Sequence, residues 1–170
     1  MLEQLGVAFA VVVPDIEELE SGPPTEVAVE NAYRKATAAA TADDTLVLGV
    51  DTVVSIGGRI YGKPADPDEA RSTLRALAGR SHAVISGICL LRDGRPRTAV
   101  ATTLVEFRAL DDALIEWYLR TGEWRERAGG YAIQGHGAAL VGRIDGDYTN
   151  VVGLPVPTLL ELAPGLLGAD

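Results

Sequence analysis

The sequence is poor in the residues that build local metal sites and disulfides. Among 170 residues there is one cysteine, Cys89, and there are two histidines, His82 and His136. A single cysteine cannot close an internal disulfide, so a reduced, cytosolic setting is expected. The two histidines lie too far apart for any local zinc spacing, and no second cysteine is at hand. Lysines are scarcer than arginines: only Lys35 and Lys63 occur. No basic stripe is visible and the formal net charge is -9, which argues against a nucleic-acid partner. No apolar run is long enough to span a bilayer, so no membrane partner is expected. Met1–Gly6 carries an acid and no basic residue, unlike the start of a secretory signal. Neither a nucleophile elbow nor the spaced glycines of a P-loop or dinucleotide fingerprint is present. There is no internal repeat and no linker.

What is there is ordinary globular chemistry, 47% apolar and 23% charged. A chain of this length removes roughly 70% of its unfolded surface from water. Its acidity does not exclude a small anionic substrate. It requires that a phosphate be met by a few Lys or Arg side chains, backbone N–H groups or a metal ion.

The apolar, β-branched run Val7–Val13 reads as a buried strand, preceded only by a fragment of helix, which suggests that something upstream is missing. A polar loop, Glu17–Pro24, leads to a helix over Thr25–Ala42 with Thr25 as N-cap. Thr45–Val50 is a short apolar strand that continues through Thr52–Ile56 and turns at Gly57-Gly58 into Arg59–Tyr61. Asp66–Ala78 has the fullest helix signature: Asp66 as N-cap, Pro67 at the first position, Glu69 closing a capping box and Gly79 beyond the end. His82–Leu91 and Arg97–Phe107 read as a long hairpin around Asp93-Gly94. A helix over Asp111–Thr121 ends at Gly122, and a helical turn follows over Glu123–Arg127. Ala138–Ile144 reads as a strand and Thr158–Leu167 as a last helix interrupted near Pro164. The pattern predicts an α/β fold with a mixed, elongated central sheet and flanking helices.

Asp51 directly follows a buried strand, where α/β proteins place ligands. A carboxylate between two apolar segments must be paired, hydrogen-bonded or metal-bound. Taken alone it reads slightly more readily as a turn cap than as a catalytic acid. Glu17 and Glu18 fall in the loop after the first apolar run, and with Asp51 they could offer oxygen ligands to Mg²⁺. Lys35 alone reads as a solvated helix face. Lys63 is held between Gly62 and Pro64, an arrangement that aims one side chain, and lysine meets phosphate as a point charge. The segment Gly129–Gly135 ends in Gln134, whose amide suits the edge of a nucleobase; its plain alternative is a flexible connection. His82 reads as a satisfied structural histidine and Cys89 as a buried one.

The segments VLGVDTVV, GKPAD, EARSTLRALAGRSHAV, EWRERAGGYAIQG and NVVGLPV occur in the order found in the Maf family of nucleoside triphosphate pyrophosphatases, which the sequence resembles from Met1 to Leu167. The resemblance implies a fold like that of inosine-triphosphate pyrophosphatases, with residues 1–170 as one domain of two lobes around a central cleft. It implies hydrolysis between the α- and β-phosphates, Asp51 as the catalytic proton acceptor near the metal, and Glu18 as a metal or water ligand. Lys35 and Lys63 match the family's phosphate-contacting lysines. Thr52 and Gln134 match positions that separate its branches, here in the form of the branch acting on dTTP and UTP. The implied cofactor is Mg²⁺ or Mn²⁺, the partner a nucleoside triphosphate, the location cytoplasmic, and a homodimer is compatible with all of this.

The sequence departs from the family at its start. Met1–Gly6 matches the end of the helix that follows the family's first strand and its S-x-S-P-R-[RK] segment, so that strand and a phosphate-binding Arg are expected to be absent. Two other readings follow: a truncated, catalytically weak nucleotide-binding protein with a regulatory role in cell division or septum formation, and a pyrophosphatase of modified nucleotides, although Thr52 and Gln134 argue against purines.

Overall fold

Ser81–Arg92 (β3) is the strand around which the other elements pack, buried on both faces from Val84 to Leu90. The computed structural model describes residues 1–41 and 46–168. One side of β3 pairs with Leu46–Ile56 (β1), which turns back into Arg59–Tyr61 (β2). The other side pairs with Arg95–Phe107 (β4), which in turn pairs with Val141–Asp145 (β5). The five-stranded order is therefore β2-β1-β3-β4-β5. The α/β architecture with a central sheet and flanking helices is as the sequence predicts. Instead of mixed pairing, every pairing among the described residues is antiparallel; the hairpins at Gly57-Gly58 and Asp93-Gly94 set two of the four, and longer connections join the other two. Asp93 and Gly94 both take positive φ, 49° and 73°, as a tight hairpin turn requires.

The period-two alternation of the strands divides the core. Val53, Ile85, Gly87 and Cys89 face the helix Pro24–Ala39 (α1), whose Ala28, Ala32 and Ala36 are fully buried. Contact here is backbone-close. A Cβ on Gly49 would stand 2.2 Å from the Ala32 carbonyl oxygen, and one on Gly87 2.3 Å from that of Ala28. On the opposite face, Val54 and Val84 pack with the helices Pro67–Leu77 (α2) and Asp112–Thr121 (α3), while Ile88 and Leu90 pack with Val156–Leu162 (α5). A five-residue helix, Tyr148–Val152 (α4), precedes α5 and has no counterpart in the sequence-based reading.

Several local expectations are corrected. Val7–Val13 is not a buried strand. No pairing to it exists among the described residues, and Val11 and Val13 are 77% and 88% exposed. A β-branched run becomes a strand only where a ladder partner accepts from its N–H groups and donates to its C=O groups. Helix α1 begins at Pro24, so Thr25 lies inside its first turn and caps nothing; Ala42 and Thr45, the expected ends of helix and strand, lie outside the described residues. Asp66 does cap α2, accepting from the Asp68 and Glu69 N–H groups, but the Glu69 carboxylate reaches Ala65 N rather than closing back on Asp66. Residues 136–140 form a 3₁₀ turn, so β5 starts three residues later than expected, at Val141.

Candidate active site

Asp51 is 8% exposed, at the middle of β1, and its partner across the ladder is Gly87. The missing side chain at Gly87 lets α1 lie directly over this part of the sheet. Asn31 and Lys35 are one turn apart on α1 and so share a face. Lys35 Nζ is 2.6 Å from Asp51 Oδ1, and Asn31 Nδ2 donates to Asp51 Oδ2 at 3.1 Å. Both carboxylate oxygens are thus held by one helix.

Asn31 also fixes the loop that carries Glu18. Its Oδ1 accepts from Leu19 N at 2.7 Å and its Nδ2 donates to Leu19 O at 3.0 Å. That clamp sets Glu18 Oε1 3.0 Å from Lys35 Nζ and Glu18 Oε2 3.9 Å from Lys63 Nζ. Burial disfavours the Lys35 ammonium, but the hydrogen bonds and charges of Asp51 and Glu18 outweigh it, and its pKa is raised. Glu17 takes no part in this cluster; its carbonyl accepts from Arg34 at 3.3 Å.

A cleft of about 610 Å³ opens beside the cluster, a volume suited to a small molecule. Lys35, Asp51, Thr52, Lys63 and Gln134 all line it, with Glu18 joined through its ion pairs to the two lysines. Thr52 Oγ1 hydrogen-bonds Ser86 Oγ at 2.8 Å across the ladder. The far wall is the segment 122–135. Gly129 and Gly130 within it are buried, so the alternative of a flexible connection gives way to a packed one. Gly129 takes φ 69°, donates to Gly62 O at 3.0 Å and lies so close to Val54 that a Cβ would be 2.9 Å from its methyl. This stitch joins the Lys63 loop to the wall that bears Gln134.

A family model for Maf-like proteins matches residues 1–165. The chain belongs to the Maf family. A Thermococcus gammatolerans protein named dTTP/UTP pyrophosphatase is 47% identical over 154 residues, 91% of this chain and 83% of its own. One of the same name from Gloeobacter violaceus is 46% identical over 165 residues, covering 95% and 87%. A third, from Pyrococcus furiosus, is 44% identical over 147 residues, covering 86% and 77%.

Within this Maf family chain, sequence reasoning overlooked Asn31, Ser86 and the cleft-lining Arg125, Arg127 and Glu123. Asn31 had a signal: an amide four residues before Lys35 in an Ala-rich helix interior, where asparagine is disfavoured unless it bonds something. His82 is only half satisfied. Its Nε2 bonds the Tyr131 hydroxyl at 2.9 Å, but its Nδ1 is buried without a partner. Burial alone depresses its pKa to about 4. Cys89 is fully buried and its thiol pKa is raised, as expected for an inert thiol. No described helix is long and apolar enough to cross a membrane.

Proposed function

We propose that this chain hydrolyses dTTP and UTP to the nucleoside monophosphate and pyrophosphate. The observation that carries the reading is the Lys35–Asp51–Glu18 cluster on the wall of the cleft, with Lys63 beside it. In this reading residues 1–170 act as one domain whose two lobes flank the cleft. Water adds its hydroxyl oxygen to phosphorus as the P–O bond bridging the α- and β-phosphates breaks. Asp51 accepts the water's proton and pyrophosphate leaves. Phosphoryl transfer asks chiefly for positioning and charge neutralisation. Lys35 and Lys63 supply cations, while Asn31 and Lys35 hold the Asp51 carboxylate in place. Gln134 meets the carbonyl and N–H on one edge of the pyrimidine, and Thr52, tied to Ser86, shapes the other side of the base.

Asp51 and Glu18 are the residues that would hold a divalent cation. Two carboxylates joined at one lysine suit Mg²⁺ or Mn²⁺, which take further oxygens from phosphate and water. Among the described residues no group of three or more His, Cys, Asp or Glu could hold a metal unaided, so the fit is to an ion that shares the substrate's phosphates. When bound, it supplies charge neutralisation at the phosphoryl oxygens.

The test is product analysis with dTTP, UTP, CTP and GTP in the presence of Mg²⁺ or Mn²⁺. Pyrophosphate as first product, with dTTP and UTP preferred, is expected. Orthophosphate as first product refutes the reaction, and tight binding without turnover favours the nucleotide-binding alternative.

A further inference from the structure

Glu123 stands on the cleft wall outside the cluster of lysines and acids, and the proposed reaction gives it nothing to do. Its carboxylate nevertheless makes three hydrogen bonds to one short stretch of chain. Oε1 accepts from His136 N at 3.0 Å and lies 2.6 Å from His136 Nδ1, and Oε2 accepts from Gly137 N at 3.2 Å. Burial favours its neutral form, yet the His136 and Gly137 donors outweigh that and its pKa is lowered. Gly135, just before them, leaves the room this contact needs: a Cβ there would stand 2.3 Å from Glu123 Oε1.

The stretch so gripped, His136-Gly137, is separated from Gln134 by Gly135 alone. The turn that carries Gln134 is closed by Gly135 N donating to Ala132 O, and Ala132 N donates to the Tyr118 hydroxyl at 3.0 Å. Tyr118 therefore fixes the turn on its entering side and Glu123 on its leaving side. Gln134 itself is exposed on the cleft wall, with no hydrogen bond of its own side chain among those of the described residues, so its aim depends on the backbone. An amide can read a base edge only if that backbone does not swing.

We propose that Glu123 is a positioning residue for base selection: it clamps the chain after Gln134 so that the amide is presented to the pyrimidine edge. This rests on the reading of the cleft as a pyrimidine nucleotide site. It predicts that loss of the clamp erodes the choice of base before it erodes the chemistry at Asp51.

The experiment compares the wild type with Glu123→Gln, Gly135→Ala and His136→Ala. Glu123→Gln turns one acceptor into a donor facing Gly137 N. Gly135→Ala drives a methyl into the same carboxylate from the other side and moves only a flexible side-chain end, so it tests the clamp even if Glu123→Gln folds poorly. In both, the ratio of kcat/KM for dTTP over CTP should fall about tenfold, the scale of one mispositioned hydrogen-bonding group, mainly through KM for dTTP. Amide exchange at His136 and Gly137 should accelerate in Glu123→Gln. His136→Ala keeps both backbone donors and should retain most of the preference. An unchanged dTTP/CTP ratio in both clamp variants overturns the proposal, whether or not exchange accelerates. So does an equal loss for every nucleotide, which would mark a structural role. A wild type that cleaves no nucleoside triphosphate removes the proposed reaction instead, and calorimetric binding of dTMP against dCMP then decides the role of Glu123 by the same ratio.

Discussion

Lys35 Nζ stands 2.6 Å from Asp51 Oδ1, and the same ammonium reaches Glu18 at 3.0 Å. One cation therefore holds together two acids that would otherwise repel. It also fixes the position of Asp51 Oδ1 beside the cleft. The helix that delivers Lys35 is seated by two missing side chains, those of Gly49 and Gly87. The chemistry of the site and the packing of the sheet thus depend on the same contact.

Removing the charge of Asp51 while keeping its shape should separate binding from chemistry. Asp51→Asn is expected to lower kcat by about 10²–10⁴-fold, the usual contribution of a positioned general base, with KM for dTTP nearly unchanged. Steady-state pyrophosphate release checks this. A variant within threefold of the wild-type kcat would remove Asp51 from the role of base.

His82 makes stability depend on pH in a direction that can be worked out. Its pKa is depressed by burial from 6.5 to about 4, so between these values the unfolded chain binds a proton that the folded chain does not. Stability is then full above pH 6.5 and is lost as pH falls through the folded pKa. Two and a half units correspond to a loss of on the order of 3 kcal/mol by pH 4. Urea melts from pH 7 to pH 4 should show this slope, and His82→Gln should flatten it. An equal slope in the variant would place the acid sensitivity elsewhere.

The sheet, its hairpins and the better-capped helices were legible because their signals are local. Asp93-Gly94 forces a tight reversal, and Asp66-Pro67 starts a helix whatever surrounds it. Val7–Val13 misled for the opposite reason: apolar β-branched residues state a preference, while strand formation depends on a partner elsewhere in the chain. The candidate site was legible only through resemblance. Nothing in the spacing of Glu18, Lys35, Asp51 and Lys63 says that they meet, since they come together only when α1 settles on two glycines. Glu123 was illegible because it acts chiefly on backbone groups, which carry no residue-type signal, whereas Asn31 left only the weak trace of an amide in a helix interior.

Gly87→Ala tests that seating directly. The added methyl would lie 2.3 Å from the Ala28 carbonyl oxygen and 2.6 Å from Val29 N, both backbone atoms of α1 that cannot swing aside. Overpacking typically costs about 1–3 kcal/mol, and a rigid obstacle puts this case at the upper end. The urea midpoint should fall accordingly. Activity should fall further than stability does, because a displaced α1 carries Lys35 away from Asp51. A variant as stable and active as the wild type would show that α1 is free to slide.

The exposed run near the start of the chain predicts the reverse behaviour. Val11 and Val13 are 77% and 88% exposed, so they contribute little to the core. Val11→Thr with Val13→Thr should leave the melting temperature of the monomer within a degree or two, since surface substitutions typically stay within about 0.5 kcal/mol. It should reduce concentration-dependent light scattering, because an extended apolar segment with no ladder partner among the described residues invites pairing. A large drop in melting temperature would mean that this segment is packed in solution as the strand its sequence suggests.

Asn31 links the two halves of the candidate site, and its removal should be felt in both. The side chain is 1% exposed and makes three hydrogen bonds, two to the Leu19 backbone and one to Asp51 Oδ2. Asn31→Leu keeps the approximate volume but leaves the buried Asp51 carboxylate without one of its partners, while the Leu19 N and O of the exposed loop exchange theirs for water. Each buried polar group left unpaired costs about 1–3 kcal/mol. Stability should therefore fall by about 1–3 kcal/mol, more than the loss of a single surface hydrogen bond would give. The kinetic signature is more telling. With the Leu19 clamp gone, Glu18 is no longer held beside Lys35 and Lys63, so the metal dependence of turnover should weaken together with kcat. Asn31→Asp tests the charge separately: it retains acceptors for Leu19 N but places a second carboxylate against Asp51, which disfavours ionisation of the pair and should shift the acid limb of the kcat profile upward in pH. Titrating Mg²⁺ or Mn²⁺ at fixed dTTP, and repeating the pH profile for both variants, provides the check. If Asn31→Leu loses stability but keeps both its metal response and its pH profile, Asn31 is a packing residue alone, and Glu18 is held in place by its lysines without help from the loop.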